Sequence, residues 1–171
     1  MLHHRLLLIP LSFLFSVNSL ALSTDRDQPI QIEADKATID NIKGIANYEG
    51  DVIVIQGSIR INSDIMNIKY SKKRNLETII TTGNPSRFQQ RLDNGEIIKA
   101  KALEMEYNAI KNIIYLRKQA ELRKNLNGID NYISNAPRIT YDTQRGIIRA
   151  DKGKGKRGRI TMTFTPEKKS K

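Results

Sequence analysis

Residues 50–64 read GDVIVIQGSIRINSD. Ile53, Ile55, Ile59 and Ile61 recur at a spacing of two around Gly57, while the even positions run Val52, Val54, Gln56, Ser58, Arg60, Asn62. Two is the period of a β-strand, whose successive side chains point to opposite sides of a sheet. The stretch reads as a strand with one aliphatic face, made by the odd-numbered isoleucines, and one face that turns polar. That aliphatic face needs a covering partner, in a chain with no Trp and four Phe.

The same signature extends outward along the chain. Isoleucine is the dominant apolar residue, with 25 copies, and β-branched side chains favour strands over helices. Gly44, Gly50, Gly57, Gly83, Gly95, Gly128 and Gly146 punctuate the chain at short intervals, the rhythm of an all-β sandwich or barrel. Asn41–Gly44 and Asp93–Gly95 read as hairpin tips, and Gly83-Asn84-Pro85 as a break after a strand ending at Thr81. Ala100–Tyr107, the best helical candidate, also alternates as a strand does. Ile30, Ile32 and Ala34 share even parity whereas Ala37 and Ile39 are odd, so a bend is expected near Asp35-Lys36. Residues 61–74 (INSDIMNIKYSKKR) lie over 132–145 (YISNAPRITYDTQR), which points to two similar strand sets along one sheet. After the basic, low-complexity run 152–159, Ile160–Pro166 alternates cleanly and reads as a last strand closed by proline.

The first residues set the expected compartment. Arg5, the apolar run Leu6–Leu14 and the end Ser19-Leu20-Ala21 make a secretory signal peptide, too short to span a bilayer. Cleavage is expected after Ala21. The domains are then a leader over 1–21, a single β-domain over 22–166 and a frayed basic tail over 167–171. Removing Arg5 from the formal net charge of +11 leaves +10 on the exported chain. Such a balance seeks an acidic partner, and export disfavours nucleic acid.

Composition excludes several chemistries. There is no cysteine, and both histidines fall in the leader. Cys/His zinc sites, a Ser-His-Asp triad and a Cys-His pair are therefore impossible in the exported chain. The run from Gly153 to Arg159 lacks the Lys-Ser/Thr of a phosphate loop. Glu33/Asp35 and Glu104/Glu106 are carboxylate pairs of the kind that cleave glycosidic bonds when suitably spaced. At i and i+2 of a strand, however, they sit on its wet side. No enzyme, cofactor or metal site is expected.

Several motifs in order then carry a resemblance. Asp27-Gln28-Pro29-Ile30-Gln31-Ile32-Glu33-Ala34-Asp35, Tyr48-x-Gly50-Asp51-Val52-x-Val54-x-Gln56-Gly57 and Ile61-Asn62-Ser63-Asp64 resemble the OstA-like family, the LptA type of periplasmic lipopolysaccharide-transport proteins of Gram-negative bacteria. The likeness continues through Asp93-Asn94-Gly95, Met105-x-Tyr107, Asp151-Lys152-Gly153-Lys154 and Arg159–Pro166. The Gly/Lys run before the last strand is longer than the family's, and the 72–76 loop is short.

The resemblance implies an all-β fold: a single-domain, open, V-shaped β-jelly roll of antiparallel strands around a hydrophobic groove that takes the acyl chains of lipid A. It implies a periplasmic lipopolysaccharide carrier whose protomers stack head to tail by strand addition, or join LptC-like and LptD-like partners, into a bridge between the membranes. Ile30, Ile32, Phe88 and Tyr107 match positions the family places on or near the lipid-facing interior. Parity adds Ile53, Ile55, Ile59, Ile61 and Met105 to the expected groove. The edge-strand joints are assigned to Ile30, Ile32 and Ala34 at one end and Ile160, Met162 and Phe164 at the other. Open edges are normally an aggregation hazard, and here they would become joints. The rival reading is a periplasmic scaffold that binds acidic glycan through the basic loop 152–159.

Overall fold

The computed structural model describes residues 25–73, 75–153 and 158–166. A short 3-10 helix, Asp25–Asp27, is followed by ten strands: β1 (Gln31–Glu33), β2 (Lys36–Asp40), β3 (Ile45–Gln56), β4 (Ile59–Tyr70), β5 (Leu76–Arg91), β6 (Ile97–Asn108), β7 (Ile113–Leu126), β8 (Ile129–Asp142), β9 (Ile147–Asp151) and β10 (Thr161–Phe164). All pairings are antiparallel, in one sheet of order β1-β3-β4-β5-β6-β7-β8-β10. β2 pairs with the remaining length of β3, and β9 with that of β8. The sheet is open. The leader and the 167–171 tail lie outside the described residues.

The opening stretch is a hairpin, not a single strand. Gln56 pairs with Ile59 across the two-residue turn Gly57-Ser58, and Gly57 has φ +57°, as the first position of a type II′ turn requires. Reversal of the chain at this turn pairs odd residues of β3 with even residues of β4. Val54 therefore stands beside Ile61 and Val52 beside Ser63, whereas Ile53 faces Asn62 and Ile55 faces Arg60. The aliphatic partner that the sequence demanded comes from the other parity: Val52 (0 % exposed) and Val54 pack with Met66 (0 %), against Ile32, Ala34, Tyr48, Ile61, Ile68 and Ile79.

A line of β-bulges crosses the sheet. Register shifts fall between Glu49 and Val52, Asn62 and Ile65, Thr82 and Ser86, Lys101 and Glu104, and Arg117 and Ala120. Each bulge bends its strand, and stacked side by side they divide the sheet into two arms. The first arm carries β1 and β10 at its edges, the second β2 and β9. Gly50 (φ +81°) and Asp51 (φ +41°), then Lys118 (φ +63°) and Gln119 (φ +59°), supply the left-handed backbone at two of the bulges. Gly83-Asn84-Pro85 is likewise a bulge inside a continuous β5 rather than the expected break, and the Asn84-Pro85 bond is cis. The expected bend does occur, at residues 34–35 between β1 and β2, where the Asp35 N–H donates to the Gly50 carbonyl at 3.1 Å.

Each bulge that adds one residue also switches which parity faces inward. In β6 the buried positions are Ile98, Ala100 and Ala102, then Met105. In β8 they are Ser134 and Ala136, then Ile139 and Tyr141. The core formed on this inner face is continuous through both arms, with Ile98, Leu116, Leu122 and Ile139 at 0–1 % exposure; burying each contributes about 1.5–3 kcal/mol. Along the bulge line the inward residues are small: Ser63, Ser86, Ala102, Ala120, Ser134 and Ala136 are all buried. Small side chains there let the two arms approach closely, which is how a core poor in large aromatics still closes. The two repeat segments fall mainly in β4 and β8, and Ser63/Ser134 and Ile68/Ile139 take equivalent inward positions in them.

Candidate functional site: the interior face and the two open edges

Among the expected groove residues, Ile32, Ile59, Ile61, Phe88, Met105 and Tyr107 lie on the inner face. Register fixes this: Ile32 pairs with Val54, Ile61 with Val54 and Phe88, Phe88 with Ala100, and Tyr107 with Ile79 and Ile114. Met105, however, is only 5 % exposed and belongs to the closed core, so it is enclosed by neighbouring side chains rather than lining an open channel. Ile53 and Ile55 are corrected outright. They stand on the outer face, beside Glu33 and Asn62 and beside Gln31 and Arg60 respectively, because the hairpin turn reversed the parity that had grouped them with Ile59 and Ile61. Ile30 precedes β1 and is 57 % exposed.

Where the interior opens is a cavity of about 560 Å3 at the C-terminal edge. Its apolar wall is Tyr132, Met162 and Phe164 of the first arm with Ile148 of the second, and Glu96, Lys124, Asn131 and Thr165 stand among them. Phe164 meets the Tyr132 ring edge-on with centroids 5.2 Å apart, a favourable aromatic geometry. Phe164 is nonetheless 70 % exposed and Met162 43 %, so large apolar groups face solvent on the inward side. Glu96 accepts a hydrogen bond from the Asn131 amide at 3.1 Å. Tyr141 lies behind the cavity; burial first, then the negative charges of Glu96 and Asp142, push its phenol up to about 12, so it stays neutral. Lys124 is inward by register, between Ile98 and Tyr132, and makes no ion pair among the described residues. Sequence reading missed Lys124, Tyr132 and Ile148. Tyr132 was within reach, because it opens the second repeat segment.

The edges differ in character. At one end β1 pairs only with β3, and Ile32 and Ala34 turn inward onto the Val52–Met66 cluster. At the other, β10 pairs only with β8, matching Met162 to Ser134 and Phe164 to Tyr132. β10 spans four residues, so Ile160, an expected joint residue, lies just before it. Each sheet end has the same construction: one long strand flanked by two short ones, one per arm.

Neighbouring side chains engage three of the four carboxylates of the two acidic pairs. The Arg117 guanidinium donates to Glu104 at 3.1 Å and to Glu106 at 2.6 Å, and Lys118 reaches Glu104 at 3.3 Å. Glu33 accepts from the Gln31 amide at 2.7 Å. Within the basic loop, residues 154–157 lie outside the described residues. No cluster of acidic residues suited to a metal occurs among the described residues.

Comparison with known proteins gives a consistent picture. The family model described as the LptA/(LptD N-terminal domain) LPS transport protein matches residues 31–147. The lipopolysaccharide export system protein LptH of Pseudomonas aeruginosa is 34 % identical over 158 residues, covering 89 % of this chain and 87 % of its own. The LptA proteins of Haemophilus influenzae and Escherichia coli K12 are each 32 % identical, over 95 % and 88 % of this chain and 92 % and 78 % of their own. The crystal structure of LptH, the LptA-homologous periplasmic component of the P. aeruginosa lipopolysaccharide transport device, superposes with a TM-score of 0.73 at 33 % identity, covering 84 % of this chain and 99 % of that one. With the open antiparallel sheet and most of the length accounted for, the chain belongs to the LptA/LptD N-terminal-domain family of lipopolysaccharide-transport proteins.

Proposed function

We propose that the chain is a periplasmic carrier of lipopolysaccharide and one segment of a bridge from inner to outer membrane. Acyl chains rest on the inward apolar face, entering at the C-terminal cavity. Head groups stay at the mouth, with Lys124 next to lipid A phosphate. The β1 edge of one protomer receives the β10 edge of the next, and an LptC-like anchor and an LptD-like outer-membrane protein take the two terminal places. The observation that carries this reading is the coincidence, at one sheet end, of an unpaired edge strand with exposed inward Met162 and Phe164. Burying CH2 groups there yields about 0.8 kcal/mol each, so hydrocarbon supplies most of the affinity, and an exposed Lys–phosphate contact adds about 1 kcal/mol or less.

The test is lipopolysaccharide binding by Phe164→Asp and Tyr132→Asp, compared with Ile53→Asp. The first two should lose binding by tenfold or more while retaining the β-sheet circular dichroism of the parent. Ile53→Asp should bind normally. Loss of binding only on neutralising the 152–159 cations would instead favour the glycan scaffold.

A further inference from the structure

Asp25 is 2 % exposed, a buried carboxylate that the lipid-facing interior does not use. It sits in the short 3-10 helix ahead of β1, against the tip of the β3–β4 hairpin and the end of β5. Its two oxygens accept three hydrogen bonds: from the Ser58 N–H at 2.7 Å, from the Ser58 hydroxyl at 2.7 Å and from the Gln90 amide at 3.3 Å. The Ser58 oxygen in turn accepts from the Arg91 N–H at 3.0 Å. One carboxylate ties together segments that lie 33 and 65 residues away in sequence. Gly57 makes room for it, since a side-chain carbon added there would collide with the Asp25 carboxylate. Hydrogen bonds to an ionised acceptor are roughly twice as strong as neutral ones, and burial strengthens them further.

Between this anchor and the bulge at Gly50 lies β1. The strand has only three ladder partners, pairing Gln31 with Ile55, Ile32 with Val54 and Glu33 with Ile53, and the first residues of a domain fray unless they are tied down. β1 is tied down at both ends. After Glu33, the Asp35 N–H donates to the Gly50 carbonyl at 3.1 Å. Before Gln31, the Gln56 amide donates to the Gln28 carbonyl at 3.2 Å, and the Asp25 bonds fix the chain just upstream. β10, at the opposite end of the sheet, has four ladder partners, then a backbone bond from the Thr165 N–H to the Asn131 carbonyl at 3.0 Å. No buried charged group anchors it among the described residues. The two edges are therefore unequal, and β1 is held in place before any partner arrives.

Adding a strand to an edge that is already ordered avoids the entropic cost of ordering it at the moment of binding. We propose that Asp25 is a positioning residue for head-to-tail assembly: through Ser58 and Gln90 it holds β1 as a preformed receiving edge, and it has no part in presenting β10. The role rests on the strand-addition reading of the two edges and gives that reading a polarity. A chain whose Asp25 anchor is broken still offers β10 to another copy but no longer receives one, so it terminates rods. A variant that merely unfolds has no such effect, because it offers neither edge.

The test uses the exported chain carrying Asp25→Ala or Asp25→Asn, the second of which keeps an oxygen for the Ser58 N–H. Asp25→Ala should stay monomeric in light scattering at concentrations where the parent forms rods. Mixed in equal amounts with the parent, it should shorten the parent's rods at least twofold. Asp25→Asn should give rods of intermediate length. Hydrogen exchange over residues 31–33 should be at least tenfold faster in Asp25→Ala, with exchange over β6 and β7 unchanged. Thermal melts verify folding, and should Asp25→Ala fail to fold, the same comparisons made with Asp25→Asn decide the matter. Unchanged exchange at 31–33 overturns the anchor. Parental rod length, in the variant alone or in the equal mixture, overturns the role of Asp25 while leaving strand addition intact. A parent that forms no rods at any concentration overturns the strand-addition reading itself, and this role with it.

Discussion

Gly50 and Gly95 share a left-handed φ, +81° and +83°, yet they are not equivalent. A side chain at either position meets the backbone penalty of about 1–2 kcal/mol. At Gly95 nothing lies within 4 Å of the added carbon, whereas at Gly50 it would collide with the Asp35 side chain, beside the bulge where β1 gives way to β2. Gly50→Ala should therefore cost clearly more than Gly95→Ala in urea unfolding, about 2 kcal/mol or more against about 1. Equal costs would show that the Asp35 contact is readily relaxed. Truncation of the interior obeys the same logic of local surroundings: Ile139→Ala, at a position with 0 % exposure, should cost about 2–5 kcal/mol, and Ile53→Ala on the outer face less than half of that.

The carboxylates of one outer strand pair give a pH signature that belongs to the element. Glu121 is held below the usual carboxylate range chiefly by the Arg123 hydrogen bond, and Asp130 by Asn125 and then Arg123. A depressed folded value means stability that is present above the ordinary values of 4.5 and 3.8 and lost as pH falls through the folded ones. Arg123→Gln should thus lower the melting temperature at pH 7, only slightly because these groups are largely solvent-screened, and the curves of parent and variant should converge as pH falls below about 4.5. The reading of elements from sequence succeeded where signals were local: isoleucine periodicity, the hairpin tips at 41–44 and 93–95, the bend at residues 34–35 and the strand over Ala100–Tyr107. It failed where one extra residue reverses a face. Parity is a local code, and the bulges at 63–64, 83–85, 102–103 and 137–138 reset it without a composition signal beyond Gly83 and two prolines. The two-residue turn at Gly57-Ser58 reverses parity as well, which is why Ile53 and Ile55 were grouped with Ile59 and Ile61. The cavity at Tyr132, Ile148 and Phe164 joins strands distant in sequence, and no spacing rule reports such a juxtaposition.

At the scale of the whole molecule the sheet is open and its two ends are built alike. Deleting residues 159–171 removes β10 and leaves β8 with its β9 pairing on the second arm. The truncated protein is expected to remain folded and to stay monomeric in light scattering at concentrations where the complete chain lengthens into rods. Rods that persist unchanged would sink the assignment of β10 as a joint. The central claim, that lipid rides on the inward face and nowhere else on the sheet, is tested most directly by a photo-crosslinking scan. A photoreactive amino acid is placed singly at 53, 55, 59, 61, 132 and 164, and lipopolysaccharide attachment is scored in cells. Attachment at 59, 61, 132 and 164 with none at 53 and 55 is the expected pattern, whereas attachment at 53 and 55 equal to that at 61 and 164 would contradict it.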